Sequence, residues 1–189
     1  MLVKLGARMR RLIAMAVVAV LVAGTATACT KKVVLPKQEG LPVEVGGLKY
    51  TVFITRELNS HDVEDRDYIP AQDPGTGFAF FGVFIQVCNS GNGPTRTPVS
   101  DMKIIDTQGN TYTPVALPPS AVFSYQPTPL AAKQCTPAAG SAAASGPTGG
   151  SLLLFKLPVA GIENRPLDLE IAPPATGEAP KRERITLDI

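Results

Sequence analysis

The chain has 189 residues, with 18 Lys and Arg against 16 Asp and Glu, 18 prolines, 17 glycines, one histidine and no tryptophan. One histidine argues against a histidine-rich metal site and leaves serine chemistry a single imidazole base. A near-balanced net charge offers no argument for nucleic-acid binding.

The first eleven residues carry Lys4, Arg8, Arg10 and Arg11 with no acid, and Leu12 to Ala23 is an unbroken apolar run of twelve. Small residues from Gly24 to Ala28 follow. These are the three parts of a secretory signal peptide, and the run is shorter than the ~20 residues a membrane-crossing helix needs. Ala26-Thr27-Ala28-Cys29 resembles a bacterial lipobox, with alanine at Ala26 where leucine or valine is usual. The resemblance implies cleavage before Cys29 by signal peptidase II, after diacylglycerol is attached to the sulfur. Two other readings compete: ordinary cleavage after Ala26-Thr27-Ala28, which leaves Cys29 without a reason, and an uncleaved anchor helix. The expectation is residues 1–28 as signal peptide, Cys29 lipidated, and an extracytoplasmic chain anchored to the outer face of the cell membrane.

Cleavage there leaves 161 residues (189 − 28), enough for one domain, and changes the formal charge from +2 to −2. Residues 29–47, with Pro36, Pro42 and three glycines, read as a lipidated tether. In it Lys31 and Lys32 either touch anionic headgroups, at ~1 kcal/mol each, or are solvated.

Residues 48–189 read as short strands. Lys49 to Thr55 alternates. Phe78 to Asn89 places Phe81, Val83, Ile85 and Val87 on one face and Phe80 and Phe84 on the other, which predicts a central strand covered on both faces. Met102–Asp106 and Thr111–Val115 flank a Gln-Gly-Asn turn, a hairpin signal. Leu152–Leu157, Leu167–Ile171 and Ile185–Ile189 complete seven or eight strands, an all-β antiparallel sandwich in which the closing isoleucine packs in the sheet. Residues 136–150, almost all Ala, Gly, Ser, Pro and Thr, read as a mobile insertion. With Cys29 lipidated, Cys88 and Cys135 remain, an even number in an oxidising compartment, and are expected to form a disulfide.

The segments Phe80–Pro94, Asp106–Tyr112 and Leu154–Pro158, in that order, resemble an immunoglobulin-like domain of actinobacterial secreted antigens and bacterial lipoproteins. The resemblance implies an immunoglobulin-like sandwich, and no catalytic residue comes with it.

His61 beside Ser60 and Asp62 has the residue types of a hydrolase triad, but chain neighbours in a polar loop rarely converge, and no G-x-S-x-G elbow is present. A solvated histidine is the better reading. Asp62, Glu64, Asp65 and Asp67 offer hard oxygen ligands suited to calcium, yet Arg66 interrupts them and no EF-hand pattern follows. No cofactor, metal site or catalytic residue is assigned. Tyr68, Phe123 and Tyr125 are candidate binding-loop aromatics for an envelope protein or glycan, with loop stapling as the favoured alternative. The function expected is non-catalytic binding in the cell envelope. The competing readings are an accessory subunit of a membrane or secretion complex, which an exposed apolar sheet face would favour, and a carboxylate-based hydrolase.

Overall fold

The computed structural model describes residues 37–69, 73–173 and 182–189. The expected signal peptide and Cys29 lie outside the described residues.

β1 (Val43–Val45), β2 (Leu48–Leu58), β3 (Phe78–Cys88), β6 (Cys135–Thr136) and β7 (Ser151–Pro158) form one sheet, in which β3 takes β2 on one edge and both β6 and β7 on the other. The second sheet runs β5 (Thr111–Tyr112), β4 (Met102–Ile105), β8 (Asp168–Ile171), β9 (Glu183–Thr186). Every pairing within the two sheets is antiparallel. Two one-turn helices, α1 (Ala142–Ser145) and α2 (Val159–Ile162), flank β7. The result is an all-β sandwich.

β3 holds it together because both of its faces are apolar. Phe81, Val83, Ile85 and Val87 face the second sheet, packing in one cluster with Ile104, Leu169, Ile171 and Ile185. Phe80 and Phe84 face outward and form a second cluster with Leu58, Leu152, Leu154, Tyr68 and Ile69. Gly82 lies between those two rings, where a Cβ would approach Leu58 Cδ1 and Phe84 Cε2 to 2.9 Å. Two tyrosines fix the segment that crosses between the sheets: Tyr50 Oη accepts from the Val99 amide and Tyr125 Oη donates to its carbonyl, both at 2.8 Å. Burial raises the pKa of both phenols, partly offset at Tyr50 by the Val99 bond and reinforced at Tyr125 by Tyr50. They stay protonated.

Three expectations are corrected. The described part of the tether is folded: β1 pairs with β2 through a two-residue turn at Gly46-Gly47, whose φ values of 58° and 75° suit the primed hairpin turn that glycine allows. Upstream of β1, the Glu39 amide donates to Thr186 O and the Gly40 amide to Val52 O, so this segment ties the sheets together. The segment 136–150 is packed rather than loose. Ala143 and Thr148 are buried, Ser141 caps α1, and Gly150 sits so close to the Phe84–Ile85 backbone that a Cβ there would come within 2.8 Å of an amide nitrogen. Small residues do the work of a large anchor here, because they allow backbone to lie on backbone. Finally, β9 ends at Thr186, and Ile189 packs half-buried against the core without belonging to the strand.

Candidate functional site

Antiparallel pairing gives the sandwich two distinct ends. Leu48 and Cys88 mark one, Leu58 and Phe78 the other. At the Phe78 end, the loop leaving β2 and the strand entering β3 enclose an open cleft of about 380 Å³. Phe78 and Phe80 form its apolar wall, and Asn59, Ser60, His61, Asp73 and Thr76 its polar one.

Ser60 Oγ donates to Asp73 Oδ1 at 2.5 Å, and His61 Nε2 lies 3.8 Å from the same oxygen. A triad needs the imidazole between hydroxyl and carboxylate. Here the carboxylate sits between the other two, so the serine proton is bonded to Asp73 and His61 is not placed to take it. The His61 side chain is 81% exposed and that of Asp73 64%. Asp62, the sequence neighbour, is not the partner. Its amide only closes a turn onto Asn59 O. Nothing local in the sequence marks Asp73, which comes thirteen residues after Ser60. What the cleft offers is an apolar wall, 44% exposed at Phe78, beside a few hydrogen-bonding groups, the pattern of a binding site. Lys156 Nζ, 4.6 Å from the Phe78 ring centroid, adds a cation at its edge.

The candidate binding-loop aromatics lie elsewhere and are not displayed. Tyr68 is buried edge-on against Phe84 (5.2 Å between centroids) and packs on Phe123 at 4.6 Å. Tyr125 is buried with its hydroxyl on Val99. All three fasten loops to the sandwich, as the favoured alternative had it, and none of them lines the cleft. The acidic loop is likewise fastened: buried Asp65 accepts from Arg56 Nη2 at 2.5 Å and from the Asn59 amide at 2.8 Å, while Arg56 lies over the Tyr68 ring. Among the described residues no group of three or more acidic, histidine or cysteine side chains is placed to hold a metal ion. Cys88 and Cys135 are register partners joined by a disulfide, S–S 2.03 Å, at the opposite end from the cleft.

Two further buried carboxylates are structural. Asp106 accepts from the Gln108 and Asn110 amides, both side-chain amides of Asn110 and Asn164, and Tyr112 Oη. Burial pushes its pKa up, but these bonds outweigh it and hold the group at about 2. Glu170 is ringed by Lys103, Arg182 and Arg184 at 3.0 to 3.4 Å. Its burial too is outweighed, here by bonds from Arg184, Lys103 and Arg182, and its pKa is lowered.

No family model matches the chain, and no curated protein matches it. A solved structure, a functionally unknown protein from Listeria monocytogenes EGD-e, is similar over 80% of this chain and 83% of its own, at 9% identity and a TM-score of 0.49.

Proposed function

We propose that this is a lipid-anchored, extracytoplasmic, immunoglobulin-like binding module of the cell envelope, with no catalytic role. The observation that carries the reading is the pairing of the Cys29 lipobox with a Cys88–Cys135 disulfide in one chain. The first is an export and anchoring signal, and the second suits an oxidising compartment. The cleft of Phe78, Ser60, His61 and Asp73 is the ligand site in this reading, since its polar groups are ordered for hydrogen bonding and not for proton transfer. The outer sheet face supports a free-standing module over a subunit of a larger complex. Its Phe80 and Phe84 are buried under the chain's own loops, and on the neighbouring strand only Phe53 and Ile54 stay 42% and 38% exposed.

The test is intact mass and acyl labelling of the mature protein in its own cells. The expected result is an N-terminal Cys29 carrying diacylglycerol, with Cys29→Ser released from the membrane or left as full-length precursor. A Cys29→Ser chain still membrane-bound at mature size would end the anchoring reading. Ligand binding at the cleft is read by titrating envelope glycans against the wild-type chain and Asp73→Ala, whose loss of a shared ligand is the supporting result.

A further inference from the structure

The register that defines the two ends also sorts the charges. Asn164 holds the Asp106–Asn110 turn, and α2 follows Pro158, the partner of Phe78. The turn end of the second sheet, with Ile105, Asp168 and Thr186, is therefore the Phe78 end. Met102, Ile171 and Glu183 then lie toward the Cys88 end.

Toward the Cys88 end stand Lys49, Arg96, Lys103, Lys133, Arg182 and Arg184, together with Lys37, whose amine pairs with Glu183. Against these seven cations are four carboxylates, Glu44, Asp101, Glu170 and Glu183, a net +3. Toward the Phe78 end nine carboxylates, five of them exposed in the 57–73 region, face four cations, a net −5. Glu39 and Asp188, past Thr186 on that same acidic side, bring the described residues to −4. The described residues, negative in sum, thus have one basic end.

The first described residues run beside β9 in its direction, away from that side. Gln38 pairs with Thr186 in parallel, and β9 runs from the Cys88 end toward the Phe78 end. Lys37 therefore lies on the basic side of Glu39. Seven residues, 30–36, separate it from Cys29, a reach of at most ~29 Å.

We propose that the basic Cys88 end docks on an anionic lipid surface, so that the acidic Phe78 end and its cleft point away from the membrane. The proposal rests on the anchoring reading for what brings the surface near. Its physical content is independent of the lipid: lysine and arginine are drawn to negatively charged headgroups within a Debye length, and the acidic end is repelled by them. The docking surface is electrostatic, and the tether supplies proximity.

The experiment uses the leaderless chain, residues 30–189, which keeps every described core residue and carries no acyl group. Its cosedimentation is measured with vesicles of mixed phosphatidylglycerol and phosphatidylcholine and with phosphatidylcholine alone. Binding to the anionic vesicles only is expected, weakening with added salt. Lys49→Gln and Lys133→Gln, both exposed, should each reduce it about fivefold, whereas Lys156→Gln at the Phe78 end should not. Equal binding to both vesicle types, no binding to either, or an equal loss from Lys156→Gln would overturn the proposal. An unlipidated Cys29 in cells would defeat the anchoring reading and leave this vesicle result standing, so the two fail separately. In the lipidated chain reconstituted in anionic bilayers, a spin label at Thr95 should be relaxed by headgroup-bound nickel and one at Val63 should not.

Discussion

The two faces of β3 are both apolar and are covered in different ways. The inner face meets a second sheet, where alternating side chains from four strands meet alternating side chains from β2 and β3. The outer face meets loops: Tyr68 and Ile69 from the acidic loop, Phe123 and partly buried Val115 and Leu117 from the segment after β5. A sheet covering repeats one rule of period two. A loop covering is assembled ring by ring, each ring needing its own fastening, such as the Arg56–Asp65 pair beneath Tyr68. The comparison predicts a rigid inner core and an outer cover that is as well packed at its centre but comes apart in pieces.

Truncations at the centre of each face have the largest expected effect. Phe155 on the inner side and Phe84 on the outer are both fully buried. Phe155→Ala and Phe84→Ala should each destabilise by about 3–5 kcal/mol, read by denaturant midpoint. A loss below about 1 kcal/mol at Phe84 would show that the loop cover is not a packed core.

Next comes the disulfide, which secures one piece of the cover. The segment that follows Cys135 places Gly146 near Phe123 and Gly149 near Phe53. Paired Cys88→Ser and Cys135→Ser substitutions should cost about 2–4 kcal/mol, since the bridge closes a long loop. Amide exchange should rise over 136–150 while Ile104 and Leu169 in the inner core stay protected. Uniform loss across both faces would contradict the comparison. The Arg56–Asp65 fastening is smaller: Asp65→Ala should cost about 1–2 kcal/mol, by leaving the Asn59 amide and Arg56 without their acceptor. Near-ultraviolet circular dichroism of Tyr68 is the local readout.

The same contrast decides what could be read from residues alone. β3 was legible because Phe81 to Val87 and Phe80 with Phe84 separate by parity onto two faces, and so were β4, β8 and the turn between β4 and β5. β1 was hidden by its shortness, although Val45-Gly46-Gly47-Leu48 carried the hairpin signal that glycine pairs give. The outer cover was illegible because nothing in Tyr68, Phe123 or the Ala and Gly run of 136–150 repeats with a period. Its partners are set by contacts distant in sequence. The cleft was half legible: Ser60 and His61 stand out as neighbours, but the carboxylate that organises them comes from the far end of the same β2–β3 loop. The Cys88–Cys135 pairing needed only compartment and arithmetic.

The smallest effect concerns Asp106, and it separates neutral from charged fastening. Its carboxylate is held by amides and a phenol, whereas Glu170 is held by three cations. A carboxylate whose folded pKa is depressed stabilises the fold above its unfolded value and loses that contribution as pH falls. For Asp106 the window runs from the ordinary value of 3.8 down to about 2. Asp106→Asn should lower the thermal midpoint at neutral pH, because the new amide turns N–H groups toward the donors of Asn110 and Asn164. The gap between variant and wild type should then close across that window, and salt of about 1 M, which screens exposed ion pairs over a few ångströms, should leave the neutral-pH gap unchanged. For Glu170→Gln the gap should close in acid and also shrink in salt, since Arg182 and Arg184 are half exposed. A salt-sensitive gap at Asp106, or one constant from neutral pH to about 2, would show that its hydrogen-bonded cage does not hold the charge.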